Sequence, residues 1–326
     1  MKLFSQSIIV QVLVILLATL ALWWQALATA VPMATEESGA ILYDILAGWL
    51  NGTPRLAVII ALLLVVLEGF GFNILLVDAG LSGQNSLLPT LLFIIAMSAG
   101  ATTLTPMILV SALLIACTHQ LLLRGSLLTI SIDKACMATA IIGLCTLFYL
   151  PAALLMISYM LVAVNYRLYS WKDWAVLFLG FLAPYVVLAV VLLFAGDLPT
   201  WWHTIVDTVG EWHISVSSFE TIPALANIVL LLVLLAGVAS VWSLSGERTV
   251  IWQKNATSIL AFIVGGIAML VASTLFPANM QLFALPFCFC VACLLEPQTH
   301  SYGRRKRKEW IFTMILILTF IAAILC

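Results

Sequence analysis

Three groups of residues carry side chains able to do chemistry in a chain that is otherwise almost without charge. The first lies in the stretch "VPMATEESGAILYDILAGWLNGTPR", Val31 to Arg55, where Glu36, Glu37 and Asp44 are followed by one cation, Arg55. Adjacent carboxylates suit general base work, and the same residues suit a solvated connector at the membrane interface. The second is the stretch "AGDLPTWWHTIVDTVGEWHISVSSFETIP", in which His203, Asp207 and Glu211 are spaced by four and share one face of a helix. Their types are compatible with a divalent cation. With Trp201 and Trp202 beside them, they are equally compatible with an aromatic-lined groove for a sugar or a lipid head group. The third is Glu68, alone within "LLLVVLEGFGFN", where Gly69 and Gly71 allow close helix approach. A carboxyl at such depth is either a functional group or a neutral, hydrogen-bonded structural one.

The elements that must position these groups are membrane helices. Hydrophobic residues make up 64% of the 326 residues and charged residues 8%, against roughly half and one quarter in soluble domains. No polar stretch is long enough for a separate soluble domain, so residues 1–326 read as a single integral membrane domain. Clear spans are expected at 7–30, 55–77, 174–194, 223–244 and 310–325. The run at 7–30 resembles a signal peptide but is too long for one, and is read as an uncleaved first span. Blocks 87–123, 135–165 and 255–296 are long for one crossing and short for two, and each has a proline near its middle: Pro106, Pro151 and Pro277. Each is expected to form a hairpin of two short helices.

Charge sets the orientation. With eleven spans and the N-terminus inside, twelve of the thirteen Lys and Arg residues face the cytoplasm, Arg55 being the exception. Seven acids (Glu36, Glu37, Asp44, Asp197, Asp207, Glu211 and Glu220) then lie outside. The loops so defined are an external one at 32–54 with an amphipathic surface helix at 38–50, a second external one at 195–222, and a basic cytoplasmic one at 297–309. In the surface helix Ile41, Leu42, Ile45, Leu46, Trp49 and Leu50 form the lipid face, and Tyr43, Asp44 and Ala47 point away from it. The expected location is a bacterial inner membrane, and the basic run at 304–308 is explained by topology and anionic lipid.

The seven cysteines fall almost entirely inside apolar runs, which indicates packing, not disulfides or a metal cluster. No phosphate-binding loop, dinucleotide fingerprint or HExxH pair is present, and nothing points to nucleic acid. Regularly spaced arginines for voltage sensing are also missing.

Two resemblances add to this reading. "LLPTLLFIIAMS", "LTPMILVSALLIA", "IIGLCTLFYLPAALLMISYML", "YSWKDWAVLFLGFLAPY" and "LFALPFCFCVACLL" resemble a family of polytopic inner-membrane proteins found in Bacteroidota, which brings no activity with it. More distantly, "TEESGAILYDILAGWL" after the first span is similar to the first external loop of the C-type (GT-C) glycosyltransferases, which take sugars from polyprenyl-phosphate carriers. In that family an aspartate normally leads the acidic pair, whereas here it is a glutamate, and the large C-terminal domain of the oligosaccharyltransferases is absent. The resemblance implies an all-α, GT-C-like bundle. It also implies Glu36 or Glu37 as general base, Asp44 nearby, and Arg55 on the carrier phosphate. A divalent cation is left open. The rival expectations are a non-enzymatic scaffold of an envelope complex, with a protein partner, and a lipid or small-solute transporter using Glu68.

Overall fold

The computed structural model describes residues 8–33, 40–82, 87–98, 101–122, 130–210, 234–246, 248–272, 281 and 283–295. Among them every regular element is helical: α1 (Ile8–Thr29), α2 (Ile41–Leu50), α3 (Pro54–Asp78), α4 (Leu88–Ser98), α5 (Pro106–Leu121), α6 (Ile132–Phe148), α7 (Leu155–Asn165), α8 (Trp171–Ala195), α9 (Leu198–Gly210), α10 (Leu234–Ser245), α11 (Val250–Ala272) and α12 (Ala284–Leu295). Four of these, within α1, α3, α8 and α11, are long and apolar enough to cross a membrane. The span expected at 310–325, Pro277 and the basic loop at 297–309 lie outside the described residues, and α10 covers the described part of the span expected at 223–244.

Proline positions explain the breaks. Pro106 is in the first turn of α5, where its missing N–H costs no helical bond, so the block at 87–123 divides into α4 and α5. Pro151 sits in a tight 3-10 turn, Leu150–Leu154, between α6 and α7. The block at 255–296 corrects the expectation of two short arms. Its first arm, α11, has 23 residues and begins at Val250. The extra turn leads into Asn255, a buried residue that hydropathy alone discounts; its amide donates to the Ala79 carbonyl at 3.2 Å.

Packing closes a circuit in which α3 touches α4, α4 touches α12, and α12 leads through α11, α7, α6 and α5 back to α3. Small residues set the closest approaches. Gly69 of α3 faces Ile94 and the Thr90 carbonyl of α4, and one turn on Phe72 stacks on Phe93 with centroids 5.0 Å apart. A side chain at Gly143 of α6 would collide with the Phe181 carbonyl of α8, and one at Gly180 with Thr139 and Cys136. In a bilayer such fits, with no hydrophobic drive between helices, supply the association energy. Helix α4 is buried along ten of its eleven residues, whereas α8 buries only Leu177, Gly180 and Leu192 of its 25. The described cysteines are mostly buried inside the helices and none forms a disulfide.

The two ends of the bundle differ. At one, Tyr166 and Asn255 meet (3.3 Å), Asn165 donates to the Lys254 carbonyl (2.9 Å), and the Lys254 ammonium lies over the Tyr166 ring. At the other lies α2, with Tyr43, Ala47 and Leu50 buried against the protein. Tyr43 and Ala47, expected to point away from the lipid, turn inward onto the protein. Leu50 does too, which corrects its assignment to the lipid face, because the close turn into α3 carries it under the helix. Ile45 and Trp49 remain outward, at 47% and 81% exposure.

Candidate functional site at the α4–α5 break

Between α4 and α5 the backbone leaves helical geometry, and helix ends have carbonyls that no intrahelical N–H can reach. In a membrane such groups persist only where protein or water satisfies them. Here side chains from distant parts of the chain do so. The Gln281 amide donates to the Met97 carbonyl at 3.0 Å, and the Tyr43 hydroxyl donates to the Leu104 carbonyl, also at 3.0 Å. Thr105 donates to the Gln281 side-chain oxygen (3.2 Å), which fixes the direction of that amide. On the α1 side, the Trp23 indole donates to the Ser98 hydroxyl (2.9 Å), and Ser98 turns back to the Ile94 carbonyl (2.6 Å).

Helix α2 is therefore bolted face-down over this break, and Met33, at the end of the residues described after α1, is tied to the α2–α3 corner. The Met33 N–H donates to the Asn51 side-chain oxygen (2.9 Å), and the Asn51 amide returns a bond to the Met33 carbonyl (3.3 Å). Met33 and Ala40 are buried, at 3% and 1% exposure. The segment between these two anchors, 34–39, contains Glu36 and Glu37, which lie outside the described residues. Asp44 is half-buried on α2 beside Tyr43, and Arg55 is exposed in the first turn of α3, just past the α2–α3 corner. Asp44 and Arg55 thus flank the same end of the bundle.

The second group is placed differently. His203, Asp207 and Trp202 are exposed on α9, a helix with no buried residue. Trp201 is half-buried, its ring 6.5 Å from Tyr185 of α8, and α8 is the helix against which α9 packs. Glu211 lies outside the described residues, so the trio spaced by four is only partly visible. Among the described residues no three His, Cys, Asp or Glu side chains gather as a metal site.

Glu68 lies in the core, 4% exposed, with its Oε2 atom 2.5 Å from the Ser111 hydroxyl of α5. Sequence reasoning found this carboxyl but not its partner. It also missed Trp23, Ser98, Thr105 and Gln281, which share only an uncharged hydrogen-bonding side chain in or beside an apolar run. No protein-family model, curated protein or solved structure matches the chain.

Proposed function

We propose that the protein is a membrane transferase of GT-C-like design, moving a sugar from a polyprenyl-phosphate carrier to an envelope acceptor at the face on which α2 lies. One observation supports this reading: the residues on either side of the acidic pair, Met33 bonded to Asn51 and Ala40, are buried at the end of the bundle where α2 covers the α4–α5 break.

In this reading Glu36 or Glu37 removes the proton from an acceptor hydroxyl. The acceptor oxygen bonds to the anomeric carbon as that carbon's bond to the carrier phosphate breaks, and the carrier departs as the phosphate. Arg55 binds the charge that develops there. The short helices α4 and α5 leave room for the lipid tail beside the break. The α9 residues His203, Asp207, Trp201 and Trp202, with Glu211, supply a peripheral contact for the sugar or head group. The face is external and the membrane a bacterial inner one, as the charge asymmetry supports.

The test is sugar transfer from a polyprenyl-phosphate donor by the purified full chain, set against Glu36→Gln, Glu37→Gln and Arg55→Ala. Loss of a general base lowers turnover by about 100-fold or more, so one glutamate variant should be nearly inactive and the arginine variant impaired. Equal turnover in all three variants removes the reading.

A further inference from the structure

We propose that Glu68 and Ser111 form a proton-binding site inside the membrane, in which Glu68 is a carboxylic acid whose proton exchanges with solvent. The geometry of three oxygens points to this. The Ser111 hydroxyl lies 2.5 Å from Glu68 Oε2 and 2.9 Å from the carbonyl of Ile108. A hydroxyl has one proton to give. A serine on a helix commonly gives it to the carbonyl three or four residues back, and Ile108 holds that position. The Glu68 contact then needs a second proton, which only the carboxyl can bring. The consistent arrangement is a chain from Glu68 Oε2–H to Ser111 Oγ–H to the Ile108 carbonyl, with each O–H donating once and the carbonyl accepting. The separation of 2.5 Å between carboxyl and hydroxyl oxygens is at the short end of the O–H···O range.

Among the described residues, the helices packed against α3 supply no countercharge that would favour a carboxylate. Helix α3 packs against α1, α2, α4 and α5, and α1 and α4 contain no ionisable side chain. Helix α2 brings Tyr43, which is bonded to the Leu104 carbonyl at the far end, and Asp44, an acid. Helix α5 brings Cys117 and His119, the latter paired with Asp78 at 4.0 Å where both are about two-fifths exposed. Along its own helix Glu68 is about 20 Å from Arg55 and about 15 Å from Asp78 by helical rise. The other oxygen, Oε1, is buried without a hydrogen-bond partner. A water that enters the core meets this atom, and a half-turn of the carboxyl, which exchanges its two oxygens, carries the O–H from the Ser111 side to that water. Release gives a carboxylate and a solvated proton, and the charge left behind must be met by water entering between α3 and α5. Proton loss is therefore coupled to loosening of that helix pair. This inference does not depend on the transferase reading.

Infrared spectroscopy of the full chain in lipid nanodiscs tests it. The expected result is a protonated-carboxyl carbonyl band at neutral pH that moves to lower frequency in D2O. The band should be absent in Glu68→Gln and displaced but present in Ser111→Ala, which keeps the acid and removes its acceptor. The Glu68→Gln variant retains an amide donor toward Ser111 and is expected to fold; matched circular dichroism and elution confirm it, and Ser111→Ala gives a second, independent reading. Identical carboxyl bands in the wild-type protein and Glu68→Gln mean that Glu68 is ionised and overturn the proposal. A band that belongs to Glu68 but never shifts in D2O means a sealed structural acid and overturns it equally. Sugar transfer is measured separately, so failure of the proton site and failure of the transferase reading are distinguishable.

Discussion

Helices α2 and α9 look alike as sequence: both are short, amphipathic, rich in aromatic residues and carry acids beside a long span. Their surroundings are opposite. Helix α2 buries Tyr43, Ala47 and Leu50, and Tyr43 reaches a carbonyl 61 residues away. Helix α9 has no fully buried residue, Trp201 being half-buried near Tyr185 of α8, and two of its threonines donate their hydroxyls to its own backbone, Thr204 to Thr200 and Thr208 to Thr204. Amphipathicity tells that a helix has an apolar face but not whether lipid or protein covers it. The direction of its hydrogen-bonding side chains decides, because a polar group sent outward from a helix must find a partner elsewhere.

That contrast can be broken or sharpened by three variants. The largest effect is expected for Tyr43→Ala, which removes a buried ring and strands the Leu104 carbonyl: a loss of about 3 kcal/mol, read by thermal unfolding in nanodiscs. Next comes Asn51→Ala, which deletes both bonds to Met33 and should cost about 2 kcal/mol, with faster hydrogen exchange at the Met33 amide as its local signature. The smallest belongs to α9: the double substitution His203→Ala with Asp207→Ala changes two exposed side chains and should shift stability by less than about 0.5 kcal/mol. An α9 variant as damaging as Asn51→Ala would mean that α9 is docked after all, and the distinction between the two helices would fail.

Much of the frame was legible in the residues. The limits of α1, α3 and α8 fall within a few residues of the apolar runs, since length and hydropathy are local properties. Pro106 and Pro151 marked real breaks for the equally local reason that proline removes a donor. What could not be read is pairing at a distance. Trp23 finds Ser98 75 residues on, and Gln281 finds Met97 184 residues back; no periodicity encodes either contact. The start of α11 is expected too late, at 255, since the polarity of Gln253 and Lys254 counts against a membrane helix. For the candidate site, the charged residues announced themselves by rarity, while the side chains that hold the break together were ordinary polar residues in apolar company.

The dependence of the α4–α5 break on Gln281 also sets an order of assembly. When residues 97–105 leave the ribosome, the amide that completes them is still to be made, Gln281 lying 184 residues after Met97. At about 5 to 20 residues per second that interval is about 10 to 35 s. Until then the Met97 carbonyl must find another partner, so the break between α4 and α5 stays unfinished and is sealed late, by a side chain just ahead of α12.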